Sequence, residues 1–198
     1  KLNKDVFGFP IQWIPKNPRW QNYVDIWTQI PLLTFVKNTV KITVVVTLLQ
    51  LFTSSFAAYA FAKMQFKGKN ALFLGYIATI AVPWQAYMVP QFMMMSSWHL
   101  NNTHLAIMCL QAFSAFGVFL MKQFYEGVPT ELCEAARIDG LSEYGIWWHI
   151  MLPLSLPALS TLTIFTFVNT WNDFLGPMIY LTKTELKTIQ IGLRMFIT

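Results

Sequence analysis

Charged side chains are scarce in this chain. Asp, Glu, Lys and Arg make up 12% of its 198 residues, whereas hydrophobic residues make up 55%. Soluble domains carry about 25% charged residues, so the composition does not fit an ordinary soluble domain. The scarcity is also uneven, because three runs without any Asp, Glu, Lys or Arg cover 42–62, 70–121 and 144–172. This pattern predicts a membrane protein.

The uncharged runs set the number of membrane spans. A spanning helix needs about 20 mainly apolar residues, so the first and third runs each hold one span. The run at 70–121 is too long for one crossing and must fold back, and its polar stretch 96–104 suits a turn. We therefore predict an all-α polytopic helical bundle. Its expected segments are an outer loop at 1–36, spans at 37–62, 71–95, 104–121 and 150–172, a polar loop at 122–149, and an outer loop at 173–198.

The sequence has little that could hold a metal or carry out chemistry. Cys109 and Cys133 fall in different predicted environments and form no CxxC pair. His99 and His104, in the 96–104 turn, are more typical of an interfacial structural role than of a metal site. No Gly-rich phosphate loop of the G-x-x-x-x-G-K-[ST] type is present. We expect no catalytic residues, no metal and no cofactor bound by this chain.

The placement of basic residues indicates the orientation. Three lysines lie in the linker 63–69, and Lys122 and Arg137 lie in the polar loop, whereas the 96–104 turn has neither Lys nor Arg. Short basic loops stay in the cytoplasm, which places the 63–69 linker and the polar loop there. The two terminal segments are also basic, although this topology puts them outside. Because the basic residues flank spans, the net charge of +5 is typical of a membrane surface rather than of nucleic-acid binding.

Ionisable groups at mid-membrane, which ion-driven carriers usually need, are missing from the predicted spans. Lys37 and Lys41 are the charged residues of these spans, and they lie at one end, where lysine can reach the interface. This argues against a secondary carrier, and no nucleophile, base or metal constellation supports a membrane enzyme. The energy for any transport is therefore expected from a partner.

The polar loop predicts two short helices. Pro129, Glu131 and Glu134 suit the first turn of a helix, and Gly140 suits its left-handed end. A helix of about ten residues is too short to be stable alone, so it must pack on something. Ser142 is expected to cap a second helix that leads into the fourth span.

The spacing of the loop residues is more specific than its helices. Three residues separate Glu134-Ala135-Ala136 from Gly140, and nine residues separate Gly140 from Ile150. One residue then separates Ile150 from Leu152-Pro153. This spacing resembles the EAA loop of binding-protein-dependent ABC importer permeases at every fixed position. The stretches Ala58–Lys63, Phe119-Leu120, Pro129–Leu132 and Trp171–Phe174 also resemble the carbohydrate type, most of all the second permease subunit of maltose-type importers.

The resemblance, which covers 34–192, implies an ATP-driven importer in the inner (cytoplasmic) membrane for a sugar or oligosaccharide. Its partners would be a second permease subunit, a pair of ATPase subunits that bind ATP and Mg, an extracytoplasmic substrate-binding protein and the lipid bilayer. Family members have six spans with both ends inside, so this chain is expected to lack the first and the last. Glycerol phosphate or another polyol is the alternative substrate.

By the same resemblance, 131–140 is the coupling helix that enters a groove of the ATPase. Glu134 would be the charge contact, Ala135 and Ala136 the close-packing surface and Gly140 the turn. The residues expected to serve ATPase coupling are Glu131, Glu134, Ala135, Ala136, Arg137, Asp139, Gly140, Ile150, Leu152 and Pro153. Trp171, Asn172 and Asp173 either line the substrate path or anchor the chain at the membrane interface.

Overall fold

The computed structural model of the chain describes residues 30–195, together with residues 20, 21, 24, 25 and 27. Within these residues it is helical and has no strand, which confirms the predicted all-α class. Most of the segment 1–36, predicted as an outer loop, lies outside the described residues, as does the end of the segment 173–198.

The helices follow one another with short connections. In chain order they are α1 (Leu32–Lys63), α2 (Lys69–Ala78), α3 (Trp84–Ser97), α4 (His104–Gln111), α5 (Ala115–Glu126), α6 (Glu131–Ile138), α7 (Glu143–Ile146), α8 (Leu152–Leu154), α9 (Leu156–Trp171), α10 (Leu175–Tyr180) and α11 (Ile189–Arg194). A 3-10 turn at Thr79–Ala81 extends α2, another at Thr184–Leu186 precedes α11, and a π-helical stretch at Trp147–Met151 joins α7 to α8.

The described part contains two helices that are long and apolar enough to cross a membrane, α1 and the stretch His104–Glu126. Two further spans are possible if each is a bent pair of helices. Lys69–Ala81 and Trp84–Ser97 meet at 102°, and Glu143–Leu154 and Leu156–Trp171 meet at 79°. The second and fourth spans, expected as continuous helices over 71–95 and 150–172, are thus broken.

Prolines explain both breaks. Val82 precedes Pro83 and has an extended backbone, with φ −84° and ψ 113°, because the residue before proline is disfavoured in the helical region. At the second break Pro157 lacks the N–H that would continue the helix, and its ring would clash with the carbonyl four residues earlier. Ser155, the residue between α8 and α9, therefore leaves the helical conformation, with ψ 11°.

The long helix α1 is the centre of the bundle and packs along α5 and α9. Gly117 of α5 lies so close to Ser54 of α1 that a Cβ at position 117 would clash with the Ser54 side chain. Small residues at such a crossing let two spans approach closely in a membrane. This contact fixes the distance between the two helices.

Two buried clusters lie at opposite ends of α1. The turn-side cluster, near the 96–104 turn, contains Ile42, Val46, Met95, Ala106, Ile107, Met108, Tyr180 and Leu181. The loop-side cluster, near the polar loop, contains Ala58, Tyr59, Val118, Met121, Tyr125, Cys133, Ala136, Ile146, Trp147, Met151, Ala158 and Leu162. Gln50, near the middle of α1, lies between them.

Candidate coupling helix and substrate cavity

The polar loop forms a short, well-terminated helix outside the spans. Helix α6 has eight residues with Glu131 and Glu134 in its first turn, where carboxylates interact favourably with the helix dipole. Gly140 ends it in the left-handed conformation, with φ +85°, as the sequence predicts. The Leu141 N–H then donates to the Ala136 carbonyl at 3.0 Å, which closes the helix as in a Schellman motif.

One face of α6 is fixed to the chain's own core. Cys133 and Ala136, which are three residues apart and therefore share a face, are 0% and 4% exposed and belong to the loop-side cluster. The Cys133 sulfur lies 3.8 Å from the Met151 sulfur. Ala136 was expected on the close-packing surface toward a partner, but it faces inward, because this small side chain lets α6 approach the spans.

The other face of α6 points away from the chain. Glu131, Glu134, Ala135 and Asp139 are exposed, and Ile138 is 87% exposed. Leu132 is also exposed, at 44%. Neither Leu132 nor Ile138 was predicted to face a partner, although an apolar residue in a polar loop is a signal that could have identified both. Exposed apolar side chains beside carboxylates are typical of a docking surface.

Glu143 connects this helix to two other segments. Its carboxylate accepts a hydrogen bond from Arg137 Nε at 2.7 Å and a second from Arg137 Nη2 at 3.3 Å. It also accepts one from the Tyr59 hydroxyl, near the end of α1, at 2.5 Å. The Arg137 hydrogen bond lowers the pKa of Glu143 below its ordinary value, so this bridge is charged at neutral pH. Arg137, expected at the partner interface, is thus held within the chain.

A second connection joins α1 to the start of α6. The Lys63 ammonium, at the last residue of α1, donates to the Val128 carbonyl at 2.5 Å. Together with the Tyr59–Glu143 hydrogen bond, this contact attaches both ends of the α6 segment to the same end of α1. The two contacts therefore join the α6 segment to the helix at the centre of the bundle.

The remaining residues of the motif lie in the π-helical stretch and in α8. Ile150 and Leu152 are half-buried and pack against the loop-side cluster, which also contains Cys133 and Ala136 of α6. Pro153 is exposed in α8. Through α7 and the π-helical stretch, the chain thus returns from Gly140 to this cluster.

A cavity of about 710 Å³ lies in the bundle. Its walls come from the middle of α1, from α3, from the break between α4 and α5, and from α9 and the turn after it. Its lining combines aromatic side chains with amide, hydroxyl and carboxylate groups, among them Gln50, Trp84, Gln111, Thr166 and Asp173. Ligand pockets have this size and this mixture of apolar walls and few polar groups.

Four polar residues of the cavity, Gln50, Gln111, Thr166 and Asp173, form one hydrogen-bonded network. Gln50 Nε2 donates to the Gln111 carbonyl at 2.7 Å, and Gln50 Oε1 accepts from the Thr166 hydroxyl at 2.9 Å. Gln111 Nε2 in turn donates to Asp173 Oδ2 at 2.7 Å. The network exists because α4 stops at Gln111, so its last carbonyls lack helical partners and must be satisfied inside the membrane.

The three residues of the Trp171–Asp173 stretch separate in the structure. Asn172 and Asp173 line the cavity, and Asp173 Oδ1 also accepts from the Gly176 N–H at 3.1 Å at the start of α10. Trp171 is outside the lining and stacks on Phe167, with 5.6 Å between ring centroids. Gln50 and Gln111 share with Gln91 and Asn169 a signal that the sequence does carry, an amide side chain in an uncharged span.

The histidines and cysteines do not assemble. In the part of the chain that the structure describes, no three His, Cys, Asp or Glu side chains lie close enough together to hold a metal ion. His104 Nε2 lies 2.9 Å from the Leu186 carbonyl, which ties the 96–104 turn to the segment before α11.

Known proteins with a similar sequence and fold are membrane transport components. A family described as "Binding-protein-dependent transport system inner membrane component" matches residues 21–197. The chain is 36% identical to the arabinooligosaccharides transport system permease protein AraQ of Halalkalibacterium halodurans, over 96% of this chain and 69% of that protein. It is 35% identical to the lactose transport system permease protein LacG of Rhizobium radiobacter, over 87% of this chain and 63% of that protein.

A solved structure has the same fold. The crystal structure of a bacterial ABC transporter involved in the import of the acidic polysaccharide alginate contains a chain that matches with a TM-score of 0.86 and 27% identity. The match covers 93% of the present chain and 65% of that chain. The present chain therefore spans about two thirds of the length of its relatives.

Proposed function

Because the chain belongs to the binding-protein-dependent transport system inner membrane components, as a permease of the carbohydrate ABC importer type, we propose that it forms part of the translocation path of an ATP-driven importer for a sugar or oligosaccharide. The observation that carries the proposal is α6, a helix outside the spans with one face fixed and one face free.

The outward face of α6 docks in a groove of a cytoplasmic ATPase. Ile138, with 87% of its surface exposed, supplies the apolar contact, and Ala135 allows close approach. Glu131, Glu134 and Asp139 are the exposed acidic groups, and Glu134 pairs with a basic residue of the ATPase. The ATPase binds ATP and Mg, and the permease itself is not an enzyme.

The inward contacts of α6 transmit the movement of the ATPase to the spans. Gly140 provides the sharp turn after the helix, while Ile150, Leu152 and Pro153 lie in the segment that supports it. Arg137 acts through its hydrogen bonds to Glu143, and not by contact with the ATPase. ATP-driven movement thus reaches α1 through the Tyr59 and Lys63 contacts.

A second permease subunit lies against the bent pair of α2 and α3. Of the described residues, α2 has none that is buried in this chain, and α3 has only Met95. Large apolar side chains such as Leu74 and Met93, 70% and 66% exposed, are therefore left for lipid or for another membrane protein. The two permeases together enclose the substrate path, and Asn172 and Asp173 of this chain project into it. Trp171 instead anchors the chain at the membrane interface.

The complex lies in the inner (cytoplasmic) membrane and receives its substrate from an extracytoplasmic binding protein on the side of the 96–104 turn. Its composition tests the proposal. When the full-length protein is purified in mild detergent, the complex should contain a second permease chain, or a second copy of this one, and two ATPase copies. Sugar uptake by the full-length protein in vesicles that contain no ATPase would contradict the assignment.

A further inference from the structure

We propose that the cavity accepts uncharged sugars and disfavours anionic ones, so that the substrate is a neutral saccharide rather than a uronic-acid oligosaccharide or a phosphorylated polyol. This inference rests on the proposed function, in which the cavity is part of the sugar path. It follows from the kinds of side chain around the cavity.

The charge around the cavity has one sign. Among the described residues that line it, Asp173 is the single ionisable acid and there is neither Lys nor Arg. Proteins recognise carboxylate and phosphate groups with arginine or lysine, often in bidentate pairs. An anionic sugar would meet a carboxylate here without a cation to offset it, and a like-charge contact in a poorly solvated site is unfavourable.

The helix ends at the cavity do not replace the missing cation. The first turns of α5 and α10 adjoin it, and helix N-termini can bind anions. However, the Gly117 N–H of α5 already donates to Ser114 Oγ at 3.0 Å. The Gly176 N–H of α10 donates to Asp173 Oδ1, so a carboxylate of the chain itself occupies the place of an anionic ligand.

The arginine beside the cavity wall has other contacts. Arg194 lies over the ring of Phe174, with its guanidinium carbon 5.2 Å from the ring centroid. Its Nη1 is 3.8 Å from the Met178 sulfur, and it is not among the lining residues. The guanidinium is therefore held by contacts outside the lining of the cavity.

The groups that are present suit a neutral sugar. Asn169 and Asn172 bring amide groups to the lining, and Trp84, Tyr87 and Phe165 bring aromatic faces. Sugar rings stack their C–H faces on aromatic rings, while their hydroxyls exchange hydrogen bonds with amides and carboxylates. Since an alginate importer shares this fold, the fold alone does not set the charge of the substrate.

The test is a comparison of matched ligands on the full-length protein with its partner subunits, reconstituted in nanodiscs without the binding protein. The probes are neutral saccharides (lactose, arabinotriose, maltotriose, galactotriose) and the uronate matched to the last, trigalacturonate. Binding is measured by titration calorimetry. We expect one or more neutral probes to bind, and trigalacturonate to bind at least about tenfold more weakly than the best of them.

Three variants assign this difference to the cavity. Asn169→Lys adds a cation to the lining and should improve trigalacturonate binding about tenfold. Because this variant keeps Asp173, its result does not depend on any structural role of that residue. Asp173→Asn should also reduce the discrimination. Glu126→Gln, the same acid-to-amide change in an exposed residue outside the lining, should leave it unchanged.

Equal or tighter binding of trigalacturonate by the parent protein would overturn the inference but leave the sugar path intact. Unchanged discrimination in Asn169→Lys would also overturn it. Failure of every neutral and anionic probe to bind would instead overturn the proposed sugar path itself.

Discussion

Glu143 joins α6, six residues away, to α1, 84 residues away. Its carboxylate accepts hydrogen bonds from Arg137 of α6 and from Tyr59 of α1. The bridge is about one-third exposed, and exposed ion pairs contribute up to about 1 kcal/mol. The bridge therefore matters more for the orientation of α6 relative to α1 than for the stability of the fold.

Replacing Glu143 with Gln should weaken the connection between α6 and α1. We expect about two- to fivefold less substrate uptake, as a loss of up to about 1 kcal/mol would give, with ATP hydrolysis retained. The measurement is the ratio of sugar moved to ATP hydrolysed in proteoliposomes of the complete transporter.

Glu126→Gln breaks another ion pair, with Lys122, and serves as the matched control that should keep the parental ratio. Arg137→Gln combined with Glu143→Gln should be no worse than Glu143→Gln alone, because Glu143→Gln already removes the bridge to Arg137. Additive losses in the double variant would contradict a shared role.

Single residues were predictable from the sequence where their conformation is decided locally. The left-handed Gly140 and the Ser142 cap, which accepts from the Gly145 N–H at 3.3 Å, follow from turn and capping chemistry. The inward position of Ala136 and the Tyr59–Glu143 hydrogen bond depend on tertiary packing between segments 84 residues apart. No local pattern encodes such a contact.

The spacing of α1 and α5 depends on a glycine. Gly117→Ala places a methyl group against Ser54, and overpacking of this kind costs about 1–3 kcal/mol. We expect a lower thermal unfolding midpoint of the full-length protein in detergent. Among the described residues, a methyl group at Gly75 of α2 would meet nothing within 4 Å beyond its chain neighbours and the backbone of its own helix, so Gly75→Ala is the matched control.

Gly75→Ala should leave the midpoint unchanged or raise it slightly, because alanine favours a helix by about 1 kcal/mol over glycine. Equal effects of the two substitutions would mean that helix propensity, and not the contact with Ser54, determines the result. The predicted order is therefore a loss at position 117 and none at position 75.

At the level of helices, composition was a good guide to which segments are apolar and a poor guide to their shape. Uncharged runs identify the apolar stretches, since burial in lipid requires them. The same runs contain Pro83 and Pro157, but a proline in a span can either kink or break it. The local breaks at Val82 and Ser155 depend on how neighbouring helices satisfy the freed backbone groups.

The topology of the whole molecule is a separate prediction. With the 96–104 turn outside and the 63–69 linker in the cytoplasm, single cysteines at these places should react from opposite sides of the membrane. Ser97→Cys and Lys67→Cys are suitable, since both positions are exposed. The background is full-length protein without Cys109 and Cys133, probed with an impermeant maleimide in cells and in inverted vesicles.

Labelling of both cysteines from the same side would contradict the single crossing proposed between the linker and the turn. Labelling of Ser97→Cys from the outside, and of Lys67→Cys only in inverted vesicles, is the expected result. It would also place α6 in the cytoplasm, because one further crossing separates the turn from the polar loop.

The central claim is that the outward face of α6 couples this permease to an ATPase. The most direct measurement is substrate uptake by the full-length Glu134→Lys variant, at equal membrane abundance, in cells that lack the parental protein. Charge reversal at this contact should lower uptake at least about tenfold, because like charges at an interface cost several kcal/mol. Glu185→Lys, the same reversal at an exposed residue near the turn-side end, should transport at the parental rate. Parental uptake by Glu134→Lys would contradict the claim.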